Sequence, residues 1–580
     1  DWSSDVCSSD LDSTGEKDNA KALVNMFEAI REIGENGDKV TLKFDKGIYQ
    51  IHKENAPVRE VHTSNTDSVR FPNKSIGILI ENQNNLTIDG NGSQFIINGD
   101  MMALAIMHSE NITVKNVNID YQIPTTSEMT VLDYDNENKT IDYFIPEYLN
   151  YEIQGANIIW KSEQKSDGGY YWTEKNDHRN YGISVKYPTE LMGRSYYSNS
   201  NPFTNAQSIE QLDDSRVRIK YSSNPAFEVV KGMNFQLVSN AERPTAGAFV
   251  WESKDINVIN TKISYMHGFG FLVQMAENVS FDGIRMETDI ETGRNTSSFA
   301  DGIHISGAKG KIEIKNSFFN NTHDDPINIH GTFTRVEEKL DSNTLRLKYI
   351  HNQQGGFPQY HPGDKVVFYS RDTLESRDEE KEYTVKSVEG PSKDNLKEMI
   401  VEFEEEVPDY LTEKVGNEPK FVAENATYTP EIYIKNNEFK NVFTRMILAT
   451  SRKKIVIEDN YFEAPSMATL FFSNDSDEWY ESGPIRDLEI RNNTFKIRSL
   501  GRTWWKYAPA IYFHPVTKGG GLPDESNPIH KNILIEENKF YLESDGALRA
   551  ESVENLTFRN NEIYRLDPSV DLSIEGSNKL

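Results

Sequence analysis

One short motif recurs along most of the chain: apolar, any residue, apolar, then two or three polar residues rich in Asn, Asp and Gly, then another apolar residue. It reads LTIDGNG from Leu86, ITVKNVNI from Ile112, INVINTKI from Ile256, VSFDGIRM from Val279 and IEIKNSFF from Ile312. It continues as IYIKNNEF from Ile432, IVIEDNYF from Ile455, LEIRNNTF from Leu488, ILIEENKF from Ile533 and LTFRNNEI from Leu556. Alternation with period two is the mark of a strand. Asn and Asp tolerate left-handed backbone, so the polar pair marks a tight bend. Ile256 and Val279 lie 23 residues apart, as do Ile432 and Ile455, and Ile533 and Leu556. That is the length of one solenoid coil. Asn437, Asn460, Asn493, Asn538 and Asn561 hold one place in five successive repeats, and stacked amides there would bond coil to coil as a ladder. The expected class is all-β, a right-handed parallel β-helix. An antiparallel sandwich would have to produce both repeat and ladder by coincidence.

Two gaps break the period: 144 residues from Ile112 to Ile256, and 120 from Ile312 to Ile432. Both contain strand-like text, such as RVRIKYSS at 216–223 and GDKVVFYSRDTL at 363–374. Each is read as an inserted small β-barrel or sandwich domain. Shorter excesses, 33 residues from Val279 to Ile312 and from Ile455 to Leu488, place loops at 288–299 and 473–484. Loops on a rigid scaffold are where function concentrates. Ahead of the coils, Asp18 is placed to cap a short amphipathic helix with Leu23, Val24, Phe27, Ile30 and Ile33 on its inner face, closing the open end of the solenoid. The expected organisation is cap and first coils at 12–122, insert one at 123–245, coils at 246–332, insert two at 333–428 and final coils at 429–580. Residues 1–11, DWSSDVCSSDL, break with everything after them and resemble translated sequencing-adaptor sequence. They hold Cys7, the chain's single cysteine, so disulfides are excluded.

The net charge of −29 disfavours nucleic acid and anionic membrane surfaces and weighs more weakly against polyanionic sugars. No apolar run is long enough to span a bilayer.

A second strand class runs through the coils: GFGFLVQ at 268–274, DGIHISG at 301–307, DPINIHG at 325–331, RMILATS at 445–451 and ATLFFSN at 468–474. Aligning DGIHI with DPINI sets Asp301 and Asp325 24 residues apart, one coil, and pairs His304 with Asn328. Coils stack about 4.8 Å apart, so Asp301, Asp324 and Asp325 should meet at one strand start. Three carboxylates in one patch cannot all ionise freely, and at least one pKa should rise. A protonated acid beside an ionised partner is the equipment of glycoside hydrolysis. His304, His323 and His330 are candidates to tune that charge or to hold sugar hydroxyls, and Trp479 and Tyr480 to stack on a sugar ring. An Asp-Asp pair is by itself more often a turn, and three carboxylates also suit calcium. Strict alternation would point Asp325 inward with Ile327 and Ile329, so the chain must bend there.

ADGIHISGAKGKI, HDDPINIHGT, TRMIL and DEWYESGPIRDLEIRNN together resemble glycoside hydrolase family 110, the bacterial exo-acting α-1,3-galactosidases, over about residues 40 to 565. The resemblance implies a β-helix with two β-barrel insertions, no metal or other cofactor, and an inverting mechanism. It also implies a glycan partner with terminal α-galactose and a periplasmic, cell-surface or secreted location; a homodimer remains open. Residue by residue it implies Asp324 as general acid and Asp301 and Asp325 as the residues that hold and deprotonate water. His304, His323, Asn328, His330, Arg445, Asp477, Trp479 and Glu481 are then substrate-binding candidates. Gly302-Ile303 and Pro326 depart from the expected pattern. DGIHISG also resembles the polygalacturonases of family 28, although the acidic balance does not suit a galacturonate polymer. Two further classes stay open: a glycan-binding β-helix without catalysis, and a calcium-dependent lyase, which would need a Lys or Arg against the cluster.

Overall fold

The computed structural model describes residues 11–566 and 578–579, apart from 35–36, 176–179, 187–189, 199–200, 226, 228, 239–242, 443, 466, 498–508 and 544–545. The adaptor-like opening at 1–10, with Cys7, lies outside the described residues.

The motif strands stack in parallel, each on the next. Leu86 pairs with Ile112, Ile112 with Ile256, Ile256 with Val279, and Val279 with Ile312. The stack continues from Ile312 to Ile432, Ile455, Leu488, Ile533 and Leu556. A further strand, Val40–Lys43, pairs Val40 with Leu86 below the first motif. These apolar positions, except Leu556 in the last coil, which is 36% exposed, line one continuous core, which fixes the register, because a one-residue slip would turn each coil inside out. The third face of each coil adds a column of rings. Phe319, Phe439, Phe462, Phe495 and Phe540 stack with centroids 5.1, 5.0, 5.0 and 4.7 Å apart.

The asparagine ladder forms at the corner between strands. Nδ2 of Asn437 donates to Oδ1 of Asn460 at 3.0 Å, Asn460 to Asn493 at 3.0 Å, Asn493 to Asn538 at 3.0 Å and Asn538 to Asn561 at 2.9 Å. Each Oδ1 also accepts the backbone N–H of the asparagine before it in the ladder. The residue preceding each rung, Asn436, Asp459, Asn492, Glu537 or Asn560, is left-handed, with φ between 53° and 59°.

Because Ile112 pairs directly with Ile256 and Ile312 with Ile432, both long excursions leave the stack and return without disturbing it. Between Thr126 and Val238 the chain builds a seven-stranded antiparallel sheet and a separate three-stranded one, around Tyr143, Trp160 and Phe235. Between Thr334 and Asn425 it builds a closed six-stranded barrel filled by Val366, Phe368, Val401 and Phe421.

The helix spans Ala20–Gly34, and Asp18 accepts the Ala20 N–H at 3.0 Å. Leu23, Phe27 and Ile30 are buried as expected. Met26 joins them, whereas Val24 is only half-buried and Ile33 is 37% exposed. The buried face is narrower than the apolar pattern predicts, leaving out Val24 and Ile33 at its margins. No helix among the described residues is long and apolar enough to cross a membrane.

Candidate active site

The second strand class also stacks in the expected register. Phe271 pairs with Ile303, Ile303 with Ile327, Ile327 with Ile447, and His304 with Asn328. Just before these strands the coils press together. A Cβ on Gly302 would come within 2.6 Å of the Pro326 carbonyl oxygen, and one on Gly270 within 1.9 Å of the Gly302 oxygen. The departure at Gly302 is therefore what lets three coils close up beside the acids. The strand proper begins only at Ile327, and bends at 323, 324 and 326 break the alternation.

The three aspartates are gathered and clamped. Arg445 donates from Nε to Asp325 Oδ1 at 2.9 Å and from Nη2 to Oδ2 at 2.6 Å, and the Thr444 hydroxyl donates to Oδ1 at 2.8 Å. Arg243 donates to Asp324 Oδ2 at 3.0 Å, and Arg445 Nη2 stands 3.9 Å from Asp324 Oδ1. Asp301 Oδ2 lies 2.7 Å from His304 Nδ1. Asp324 is the most exposed of the three, at 9%, against 3% for Asp301 and none for Asp325. Burial, then the neighbouring Asp324, drives the Asp301 carboxyl well above the usual carboxylate range, against the pull of Arg243 and Arg445. Burial also raises Asp325, against its Arg445 partner.

The remaining candidates divide into two groups. His304, His330, Asn328 and Glu481 are at the trio. His330 Nε2 is 2.9 Å from His304 Nε2 and 3.3 Å from Glu481 Oε1. Asn328 hydrogen-bonds Asp301, while its Oδ1 has no protein partner among the described residues. Glu481 reaches the site because Gly331–Thr332 and Glu481–Ser482 pair antiparallel, drawing the 473–484 loop across the coil; burial pushes its carboxyl up to about 8.

The other candidates are differently placed. His323 is buried, its Nε2 shared by Gln236 and, at 3.0 Å, by Thr296 of the 288–299 loop. Asp477 accepts the Gly519 N–H at 2.8 Å. Trp479 is 36% exposed, with the His351 ring against it at 4.7 Å. Tyr480, read as a stacking ring, is buried and its hydroxyl accepts from Arg371 at 2.8 Å. Arg445, expected among the hydroxyl binders, has its guanidinium engaged by Asp325.

Sequence reading missed Arg243, His351 and the buried segment Thr63–Ser68. Arg243 is held by Asp67, whose Oδ2 accepts its backbone N–H at 2.7 Å. Asn65 donates to Glu481 at 3.3 Å and Ser64 to Ser306 at 2.7 Å, so the segment ties both inserts and two coils to the site. Gln354 of the barrel donates to Asn65 Oδ1 at 2.6 Å. Nothing periodic announces these residues; the only available signal was a cation demand created by three acids. Both arginines are spent on the trio, which is thereby an ion-paired cluster rather than an open oxygen cage.

Fold and site define a parallel β-helix protein with an acid trio, clamped by two arginines, on adjacent coils. Residues 344–414, within the barrel, match the family model described as GLAA-B beta-barrel domain II. The chain is 35% identical to alpha-1,3-galactosidase A of Streptomyces avermitilis over 574 residues, covering 97% of this chain and 87% of that protein. It is 35% identical to alpha-1,3-galactosidase A of Bacteroides thetaiotaomicron over 560 residues (94% and 90%), and 30% identical to alpha-1,3-galactosidase B of Bacteroides fragilis over 578 residues (97% and 92%). The chain belongs to the alpha-1,3-galactosidase A/B family.

Proposed function

We propose that the chain is an inverting exo-α-galactosidase that releases terminal α-1,3-linked galactose from glycans. The observation that carries this reading is the convergence of Asp301, Asp324 and Asp325 on adjacent coils of a chain that aligns with alpha-1,3-galactosidases almost end to end. Asp324, the acid that keeps exposure, protonates the glycosidic oxygen as the C1–O bond breaks. Arg243, donating to its Oδ2, steadies the carboxylate left behind. Asp301 and Asp325 hold a water on the opposite face, and its proton passes to this pair as its oxygen bonds to C1. The partly exposed ring of Trp479 is the candidate to stack on a sugar ring in this reading.

The test is a panel of terminal α-galactosides, with NMR following the anomer first released. β-Galactose is expected; α-galactose first would mean retention and would overturn the mechanism. Asp324→Asn should lower turnover of a natural glycan by roughly 10²–10⁴-fold or more, and a near wild-type rate would remove Asp324 from its role.

A further inference from the structure

Asp301, His304 and His330 form a chain of short contacts that ends on a backbone carbonyl. His330 Nδ1 is 2.7 Å from the Gly331 oxygen. A carbonyl oxygen only accepts, so Nδ1 of His330 carries hydrogen. In a neutral imidazole the other nitrogen, Nε2, is then bare. It lies 2.9 Å from His304 Nε2, so that nitrogen must be the donor. His304 in turn is left with a bare Nδ1, 2.7 Å from Asp301 Oδ2. Two lone pairs do not meet at that distance, so a proton lies between them. The alternative, an ionised Asp301 accepting from His304 Nδ1–H with both rings neutral, reverses every tautomer. It brings a bare His330 Nδ1 against the Gly331 oxygen, repulsion in place of a bond.

We propose that this chain holds one proton more than an aspartate anion and two neutral imidazoles would, that the proton resides on Asp301, and that His304 and His330 are positioning residues which keep it there. The proposal rests on the hydrolytic reading above and refines it. With Asp301 a neutral acid in the resting site, the water's proton passes to Asp325, whose two oxygens already accept from Arg445 and Thr444 as a carboxylate does. The balance is closed: the water oxygen bonds C1, its proton goes to Asp325, the C1–O bond breaks and Asp324 gives its proton to the leaving oxygen.

The surroundings favour this placement of the charge. Burial, and after it Arg243, lowers His304, and burial with the neighbouring His304 lowers His330, which favours the carboxyl side of the Asp301–His304 contact for the extra proton. Asp301 faces Asp324, Arg243 and Arg445, with Asn328 bonded to it. His304 faces Arg243 and Asp324, and packs edge-on against Phe269 at 4.8 Å. His330 faces His304 and Glu481.

Histidine side-chain ¹⁵N NMR on the full chain, assigned with His304→Asn and His330→Gln, tests the count directly. His304 is expected as the Nε2–H tautomer and His330 as the Nδ1–H tautomer at neutral pH. Infrared spectra should show a protonated-carboxyl band that Asp301→Asn removes. The reverse tautomers, or no such band, overturn the proposal. These readouts do not depend on turnover, so inactivity toward α-galactosides would sink the hydrolytic reading while leaving the proton count standing. His330→Gln offers His304 an amide that can donate as well as accept, and so lets Asp301 ionise more easily. The pH at which the Asp301 protonated-carboxyl band is lost is expected to move down by about one pH unit or more in this variant. A band that titrates at the wild-type pH would reduce His330 to a structural part and overturn its assignment.

Discussion

The asparagine corner of the C-terminal coils and the aspartate corner of the central coils solve one geometrical problem with different chemistry. In both, polar side chains of successive coils are forced into register at a bend. An amide carries donor and acceptor together, so Asn437 through Asn561 satisfy one another with no outside help. A carboxylate carries acceptors alone. Asp324 and Asp325 therefore recruit guanidinium groups from Arg243 and Arg445 and a hydroxyl from Thr444, while Asp301, as a neutral acid, gives its hydrogen to His304. The amide corner is self-contained and inert. The acid corner depends on distant parts of the chain and holds protons to give.

Four predictions probe that contrast. Arg445→Met removes the cation from the fully buried Asp325 and should cost about 3–5 kcal/mol in denaturant unfolding; a loss under about 1 kcal/mol would show that the acids do not need it. Asn493→Asp puts an acceptor where Nδ2 now donates to Asn538 Oδ1 and to the Ile457 and Arg491 carbonyls. It should destabilise more than Asn493→Ala, by several kcal/mol at pH 8 and less at pH 4, where the new acid is neutral. Equal effects of the two substitutions would mean the ladder tolerates charge. Asn493→Ala alone should cost about 1–3 kcal/mol, through donors and acceptors left unmade on either side.

The smallest effect is a pH dependence. Asp301, Asp325 and Glu481 have folded pKa values above their unfolded ones. Their protonated forms favour the fold, so that contribution is complete below about pH 4 and is lost as pH rises through the folded values, which for Glu481 is about 8. Tm should fall by a few degrees between roughly pH 5.5 and 8.5, and less in Asp301→Asn. A flat profile in the wild type would contradict the buried acids.

The two corners also differ in how far the sequence announces them. The ladder, the register of ten motif strands and the meeting of Asp301 with Asp325 all follow from a recurring motif, because a parallel stack sets each repeat on the one before it whatever the length of the loop between them. Arg243, Asp67 and His351 obey no offset. They arrive from an insert's end, a segment ahead of the repeats and a barrel loop, through contacts spanning 81 and 176 residues. Residues such as His323 and Tyr480, plausible ligands by type, proved buried because their environment is set by those same aperiodic parts. Helix amphipathicity gave the right face with a one-residue error at its margins, where Met26 replaces Val24.

The direct pairing of Ile112 with Ile256 and of Ile312 with Ile432 bears on how the chain is made. On a ribosome, a coil at 432–455 finds its neighbour after 23 further residues, whereas Ile112 must wait for 144. The added entropy of closing the longer loop is only about 1.6 kcal/mol, but the delay is real. For that interval the upper rim of the nascent solenoid is an unpaired strand edge, open to the wrong partner. Excursions that fold quickly on their own would shorten the search for that rim, so the speed of the inserted units would set the yield of intact protein.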